Sequence, residues 1–178
     1  VKELKQRYGG SYADAFPYVS QCLLAFQQVG GHDVCIFAMY VQEYDNSCPM
    51  PNTNRTYISY VDSVRYLQSS PPGARTVVYH AIINGYLKHA TARGFQYAHI
   101  WVAPPQAGDE YIFHCRPKDE RHGNKPMSMS KLRTWYEAML KRARELGVVE
   151  QFTDIYEHVE HLTSVRDFPV FEGDFFPD

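Results

Sequence analysis

The sequence lacks any apolar run of membrane-spanning length, any paired cysteines, any repeat or low-complexity tract, and any large excess of charge: its 178 residues carry a formal net charge of -2. Each absence excludes something. Without a long apolar run there is no sign of a membrane-spanning helix, and the first residues, VKELKQRYGG, lack the apolar core of a signal peptide. A soluble intracellular protein is the expectation. The four cysteines, Cys22, Cys35, Cys48 and Cys115, stand far apart with no CxxC pair, which argues against a zinc site and against a disulfide framework. Three of them sit in or beside apolar strand-like runs, where a small buried thiol is common. What the chain does have is 44% hydrophobic residues, enough to bury one sizeable core as a single domain.

Two strand-like runs, Gln21 to Val29 and Asp33 to Tyr44, flank Gly30-Gly31 and read as a hairpin. A third strand follows the loop DNSCPMPNTN. Continuous apolarity from Val34 to Val41 predicts a central strand covered on both faces, flanked by helices. One such helix is predicted from Arg75 to Ala92, with Val78, Ile82, Tyr86 and Ala90 on its inner face and Gly94 as its stop. YAHIWVA reads as a further strand, ended by Pro104-Pro105. A long Pro-, Gly- and charge-rich loop then runs to Met129, interrupted by the strand-like YIFHC at Tyr111 to Cys115. After it comes an amphipathic helix with Ser130 as N-cap, its inner face formed by Leu132, Trp135, Met139, Ala143 and Leu146, and Gly147 past its end. Tyr136 lies beside that face. A short VVEQF strand, a helix near Asp154 to Glu160 and the aromatic, acidic PVFEGDFFPD close the chain. The fold class expected is α+β, a central mixed, largely antiparallel sheet flanked by helices.

Chemistry concentrates in two places. The strand RTYISYVDSV runs into Asp62-Ser63 and, after a Pro-Gly break, into Arg75-Thr76 at a helix start. Amides, hydroxyls and a guanidinium gathered there suit a phosphorylated ligand. Trp135-Tyr136 on the later helix has no His, Asp or Ser triad around it, so the pattern is that of a chain holding a cofactor and moving a group. Taken singly, these features have plainer explanations: Asp-Ser after a strand is ordinary turn chemistry, Trp135 on an apolar face is core, and His80 in YHAIING is a satisfied core histidine. His114-Cys115 is no nucleophile pair, because adjacent strand residues point to opposite faces.

Taken in order, VQEYDNSCPMPNTNRTYISYVDSV, RTVVYHAIINGYL, HIWVAPP, GDEYIFHC, KLRTWYEAML and FEGDFFP resemble the histone acetyltransferase domain of the CREB-binding-protein family, from about Phe16 to Asp178. The resemblance implies an acetyl-coenzyme A dependent acetyltransferase core, of which residues 1–178 are the N-terminal portion, acting on lysines of histones and transcription factors in the nucleus. It implies neither metal, nor direct nucleic-acid contact, nor membrane binding. Cofactor contacts carry over to Val61, Asp62, Ser63, Arg75, Thr76, Lys131 and Trp135, and one to Pro126, where the loop NKPMSMS departs from the family. Lys131 stands where an Arg is usual, keeping the charge without the bidentate fork. Ala81 and Ala103 replace a usual Glu and Cys away from the assigned chemistry.

The same resemblance makes Tyr136 the general acid at the coenzyme A sulfur and places Trp101 beside a lysine tunnel. A phenol of pKa about 10 can protonate a leaving thiolate whose thiol has a pKa of about 8.5. Ser20 and Glu172 fall on substrate-groove positions, where Glu172 attracts cations of histone tails and other lysine-rich substrates. The family's domain continues beyond FEGDFFP with about as much sequence again, so a second function stays open: a non-catalytic module that binds coenzyme A or a transcriptional partner.

Overall fold

The computed structural model describes residues 5–6, 12–64, 70–104, 112–114 and 128–173. Four strands form one sheet in the order β1 (Val19–Val29), β2 (His32–Tyr44), β3 (Arg55–Ser63) and β4 (Tyr97–Ile100). The first three run antiparallel and β4 joins β3 in parallel. Parallel pairing needs a crossover, and α1 (Ala74–Ala92) lies within it. Helices α2 (Met129–Glu145) and α3 (Ile155–Glu160) follow, then a single 3-10 turn at Val165–Asp167. This is the mixed α+β architecture expected. The β1–β2 turn falls on Gly30 and Gly31, both at positive φ (57° and 83°), a conformation that suits glycine.

Alternation along the strands divides the molecule into two layers. On one face, Phe37, Met39, Val41 and Ile58 of the sheet pack against Tyr79, Ile83, Tyr86, Leu87 and Ala90 of α1 and Tyr136 and Met139 of α2. On the other, Tyr44 and Tyr57 pack with Tyr12, Phe16, Cys48 and Phe171. That second face is not backed by a long helix among the described residues. It is covered at one end by the segments around Phe16 and Phe171, with α3 touching through His158, and stays open at the other, where Leu24 and Phe26 are 52% and 58% exposed.

Several boundaries shift from expectation. The inner face of α1 holds at Tyr86 and Ala90, with Ile82 packed partly against the core, but its N-terminal half is rotated: Tyr79 and Ile83 are buried and Val78 is exposed. On α2 the cap is Ser128, whose Oγ accepts from the Lys131 N–H, so the helix starts one residue before Ser130. Leu146 is exposed and Tyr136 buried, which moves the packed face toward Tyr136. VVEQF forms no strand: Val148 and Val149 instead donate their amides to the Ala143 carbonyl as part of the helix ending. The strand after α1 stops at Ile100, although the Trp101 N–H still donates to the Ile58 carbonyl. Of YIFHC, Ile112 to His114 are described and are not strand. Cys22 is exposed rather than buried, since its side of β1 is the open face; Cys35 is half-buried and Cys48 buried, and all three are free thiols.

Candidate active site

The end of β3 places its three predicted residues by strand alternation. Val61 opposes Met39 and packs against the helix-side core, whereas Asp62 opposes Ala38 and turns the other way. The Asp62 carboxylate accepts three backbone N–H groups: Ser63 at 2.8 Å on Oδ1, and Ile112 and Phe113 at 3.1 Å each on Oδ2. Charge-assisted bonds of this kind tie the 112–114 segment to the strand end.

Arg75 and Thr76 lie half-buried in the first turn of α1. Gly73, at φ 85°, is the N-cap and supplies no side-chain cap, and the first turn holds no acidic residue. A helix start of that composition, with a guanidinium beside it, favours anions through its dipole. Across from α1, the N-terminal turn of α2 carries exposed Lys131. One turn further, Trp135 meets the His80 ring edge-on at 4.3 Å and 69°, and the Tyr136 ring at 4.9 Å and 83°. The Asn84 amide donates to the Met139 carbonyl at 3.3 Å and completes the α1–α2 contact.

Tyr136 is only 8% exposed. Burial alone pushes its phenol well above the ordinary value, so Oη keeps its proton at neutral pH. His80 is not the satisfied core histidine expected from sequence. Burial lowers its pKa, partly offset by a hydrogen-bonding contact with the Trp135 backbone, and its Nε2 is buried with no partner among the described residues.

The residues expected on the substrate side lie on the opposite face. Ser20 lines a pocket of about 280 Å3 with Tyr18, Tyr40, Gln42, Ser59, Tyr60 and Ile112. Glu172 is held beside it: the Gln42 Nε2 donates to the Glu172 carbonyl, the Glu172 N–H donates to the Gln42 Oε1 at 3.3 Å, and the Tyr18 hydroxyl reaches its carboxylate at 3.4 Å. Trp101 also packs on this face, against the cluster of Tyr57 and Phe171. The structure therefore brings Arg75, Thr76, Lys131, Trp135 and Tyr136 onto one pair of helices and Ser20, Glu172 and Trp101 onto the other layer, with Val61 and Asp62 at the strand end between them. Pro126 and Cys115 lie outside the described residues.

Gln42 and Asn52 are absent from the sequence-based set. Asn52, fully buried, donates to the Val170 carbonyl at 2.6 Å and accepts from its N–H at 2.9 Å, fixing the segment that carries Glu172. A polar side chain inside a strand that otherwise reads apolar, as in VQEY, is the signal for Gln42; Asn52 sits in a Pro-rich loop and gives none.

An α+β domain with a two-helix layer bearing an anion-suited helix start and a buried phenol is the class the geometry defines. The chain matches the family model of the histone acetyltransferase domain KAT3 over residues 1–178. It is 42% identical over 180 residues to Protein cbp-1 of Caenorhabditis elegans, covering 99% of this chain and 9% of that protein. It is 39% identical over 180 residues to histone acetyltransferase HAC12 of Arabidopsis thaliana and to the probable histone acetyltransferase HAC-like 1 of Oryza sativa subsp. japonica, covering 94% of this chain and 10% of each. The chain belongs to the KAT3 histone acetyltransferase domain family, as the motifs imply. It spans about a tenth of the length of these relatives.

Proposed function

We propose that this chain is the N-terminal portion of a lysine acetyltransferase domain that moves acetyl from acetyl-coenzyme A directly to lysines of histones and other nuclear, transcription-related proteins. Family membership supports the general activity, and the names of HAC12 and HAC-like 1 support histones as substrates. The observation that carries the mechanism is Tyr136, buried and proton-retaining, on the same helix turn as Trp135 and packed against α1, whose first turn carries Arg75.

The residues fit the cosubstrate. Arg75, Thr76 and Lys131 supply cationic and hydroxyl groups for phosphates, Val61 and Trp135 an apolar wall, and an uncapped helix start the favourable dipole. When bound, acetyl-coenzyme A supplies an acyl group whose leaving atom is a sulfur. Tyr136 holds a proton on Oη and gives it to that sulfur as charge develops; burial makes the phenol a weaker acid but keeps it protonated across the working pH. On the other layer, Glu172 and the tyrosine-lined pocket draw the substrate's cationic side chains. Asp62 holds the 112–114 segment against the strand end. Pro126 is part of the same proposal by resemblance alone.

One observation favours a second reading, a non-catalytic module that binds coenzyme A or a transcriptional partner: Trp101 packs with Tyr57 and Phe171, in a different cluster from Tyr136. The deciding experiment is a thermal shift with acetyl-coenzyme A, which rises with the logarithm of ligand excess over Kd, run beside acetylation of a histone-tail peptide. A shift without transfer supports the second reading. No shift removes the enzyme reading and the coenzyme A-binding module together, and leaves only a module that binds a transcriptional partner.

A further inference from the structure

His80 stands where three features of the helix layer meet. It is one turn after Thr76 on α1, so the two residues share a helix face. Its ring lies edge-on against Trp135 of α2 at 4.3 Å, and Trp135 is in turn edge-on to Tyr136 at 4.9 Å. Its Nε2 is buried and has no hydrogen-bond partner among the described residues. The Trp135 backbone serves the other ring nitrogen, so packing and that contact use only one of the two; leaving the second buried and unpartnered is unfavourable and no structural role calls for it.

We propose that His80 is a further binding residue of the acyl-coenzyme A site, whose Nε2 hydrogen-bonds an uncharged amide group of the bound ligand. The proposal rests on the acetyltransferase reading above and assigns a ligand group that the cationic residues do not serve. Arg75 and Lys131 are point and fork cations suited to phosphate oxygens. A neutral imidazole pressed on an indole is different: it presents one donor or acceptor without charge, which matches an amide and gains little from a phosphate. Burial keeps the ring neutral, in agreement with that assignment. Thr76 and Trp135, both expected at the ligand, flank it along the helix and across the layer.

The test uses a protein that carries the whole domain. Coenzyme A affinity is measured by calorimetry and the ligand-free melting temperature by scanning calorimetry for the parent, His80→Phe and His80→Gln. His80→Phe keeps the ring contact with Trp135 and removes both ring nitrogens, the orphan one and the one that meets the Trp135 backbone. Its ligand-free melting temperature is expected to stay near the parent's, the lost Trp135 backbone contact being offset by removal of the orphan nitrogen, while its Kd rises about tenfold, the factor that one hydrogen bond of ~1.4 kcal/mol carries. His80→Gln returns a neutral amide with an acceptor oxygen and is expected to recover part of the lost affinity. In the parent, the His80 Nε2 nitrogen resonance is expected to move on addition of coenzyme A. His80→Phe binding as tightly as the parent, or a resonance that does not move while the parent binds, overturns the role of His80 and leaves the acetyltransferase reading standing. A parent that does not bind coenzyme A overturns both.

Discussion

The two faces of the sheet are built on different physics. The helix-side face is an apolar layer in which Phe37, Met39, Ile83 and Met139 are each no more than 1% exposed, and the residues of the proposed chemistry, Trp135 and Tyr136, are embedded at its margin. The opposite face has a smaller aromatic cluster around Tyr44, Tyr57 and Phe171 and depends in addition on paired hydrogen bonds, Asn52 to Val170 and Gln42 to Glu172, that pin a late segment of the chain across β2. A layer held by area tolerates the loss of one polar atom. A layer held by a few directional bonds does not. The chemistry proposed above, which needs a buried proton, falls on the first, and the proposed recognition by exposed acidic and aromatic groups falls on the second.

The sharpest separation of the two faces comes from Tyr136→Phe. Only a hydroxyl is lost from an apolar layer, so the melting temperature and coenzyme A affinity are expected to stay near the parent's. Turnover is expected to fall by roughly 100 to 10,000-fold, the range for a missing general acid. Single-turnover acetylation of a histone-tail peptide by a whole-domain protein checks it; a near-parent rate would assign the leaving-group proton to another residue.

On the other face the prediction inverts. Asn52→Ala removes two hydrogen bonds at a site that is fully buried and leaves the Val170 N–H and carbonyl unpaired, so it is expected to lower stability by ~2–4 kcal/mol. The peptide KM is expected to rise because Glu172 loses its footing, while coenzyme A affinity per folded molecule stays put. Urea titration and calorimetry give the two numbers. Equal losses in both ligands would mean that the faces are not independent.

How much of this could be read from the residues differs between the faces as well. The helix layer was legible because periodicity and helix stops are local: Gly94 and Gly147 end their helices at positive φ (97° and 68°), as expected. The error there is a small rotation at the start of α1, Tyr79 for Val78, because a run such as TVVYHAII is apolar on nearly every side and only packing against Phe37 and Met39 picks the face. The hydrogen-bonded face was less legible. Asn52 and Val170 are partners across 118 positions, and nothing local to PMPNTN or DFPVF announces the pairing. His80 shows the same limit: YHAII reads as core, and only the meeting of α1 with α2 reveals a nitrogen without a partner.

Arg75→Ala probes the helix layer at its charged rim. The guanidinium sits half-buried at a helix start with no acidic residue in that turn, so its loss is expected to weaken coenzyme A binding by ~1–3 kcal/mol with little change in fold. Equal Kd values by calorimetry would remove the phosphate assignment.

The smallest effect expected tests the edge of the second face, where Arg55, His99 and His158 crowd together. Arg55 is 8% exposed, its Nε donates to the Pro51 carbonyl at 2.5 Å, and one terminal nitrogen lies 3.0 Å from the His99 Nε2. A guanidinium has no acceptor, so that Nε2 must be the unprotonated nitrogen. Burial, then Arg55, then His158, hold the His99 pKa down to about 3. Its unfolded value is near 6.5, so below that pH the unfolded chain takes up a proton that the folded chain refuses. The stability that His99 contributes is complete above about pH 6.5 and declines as pH falls toward 3. Between pH 7.5 and 5 the decline is expected to reach ~1–2 kcal/mol, with His158, also lowered by burial, adding in the same direction. His99→Gln keeps an acceptor for Arg55 and cannot titrate, so its urea midpoint is expected to start lower at pH 7.5 and to fall less steeply toward pH 5. A variant whose midpoint tracks the parent's slope would place the acid sensitivity of this face on groups other than His99.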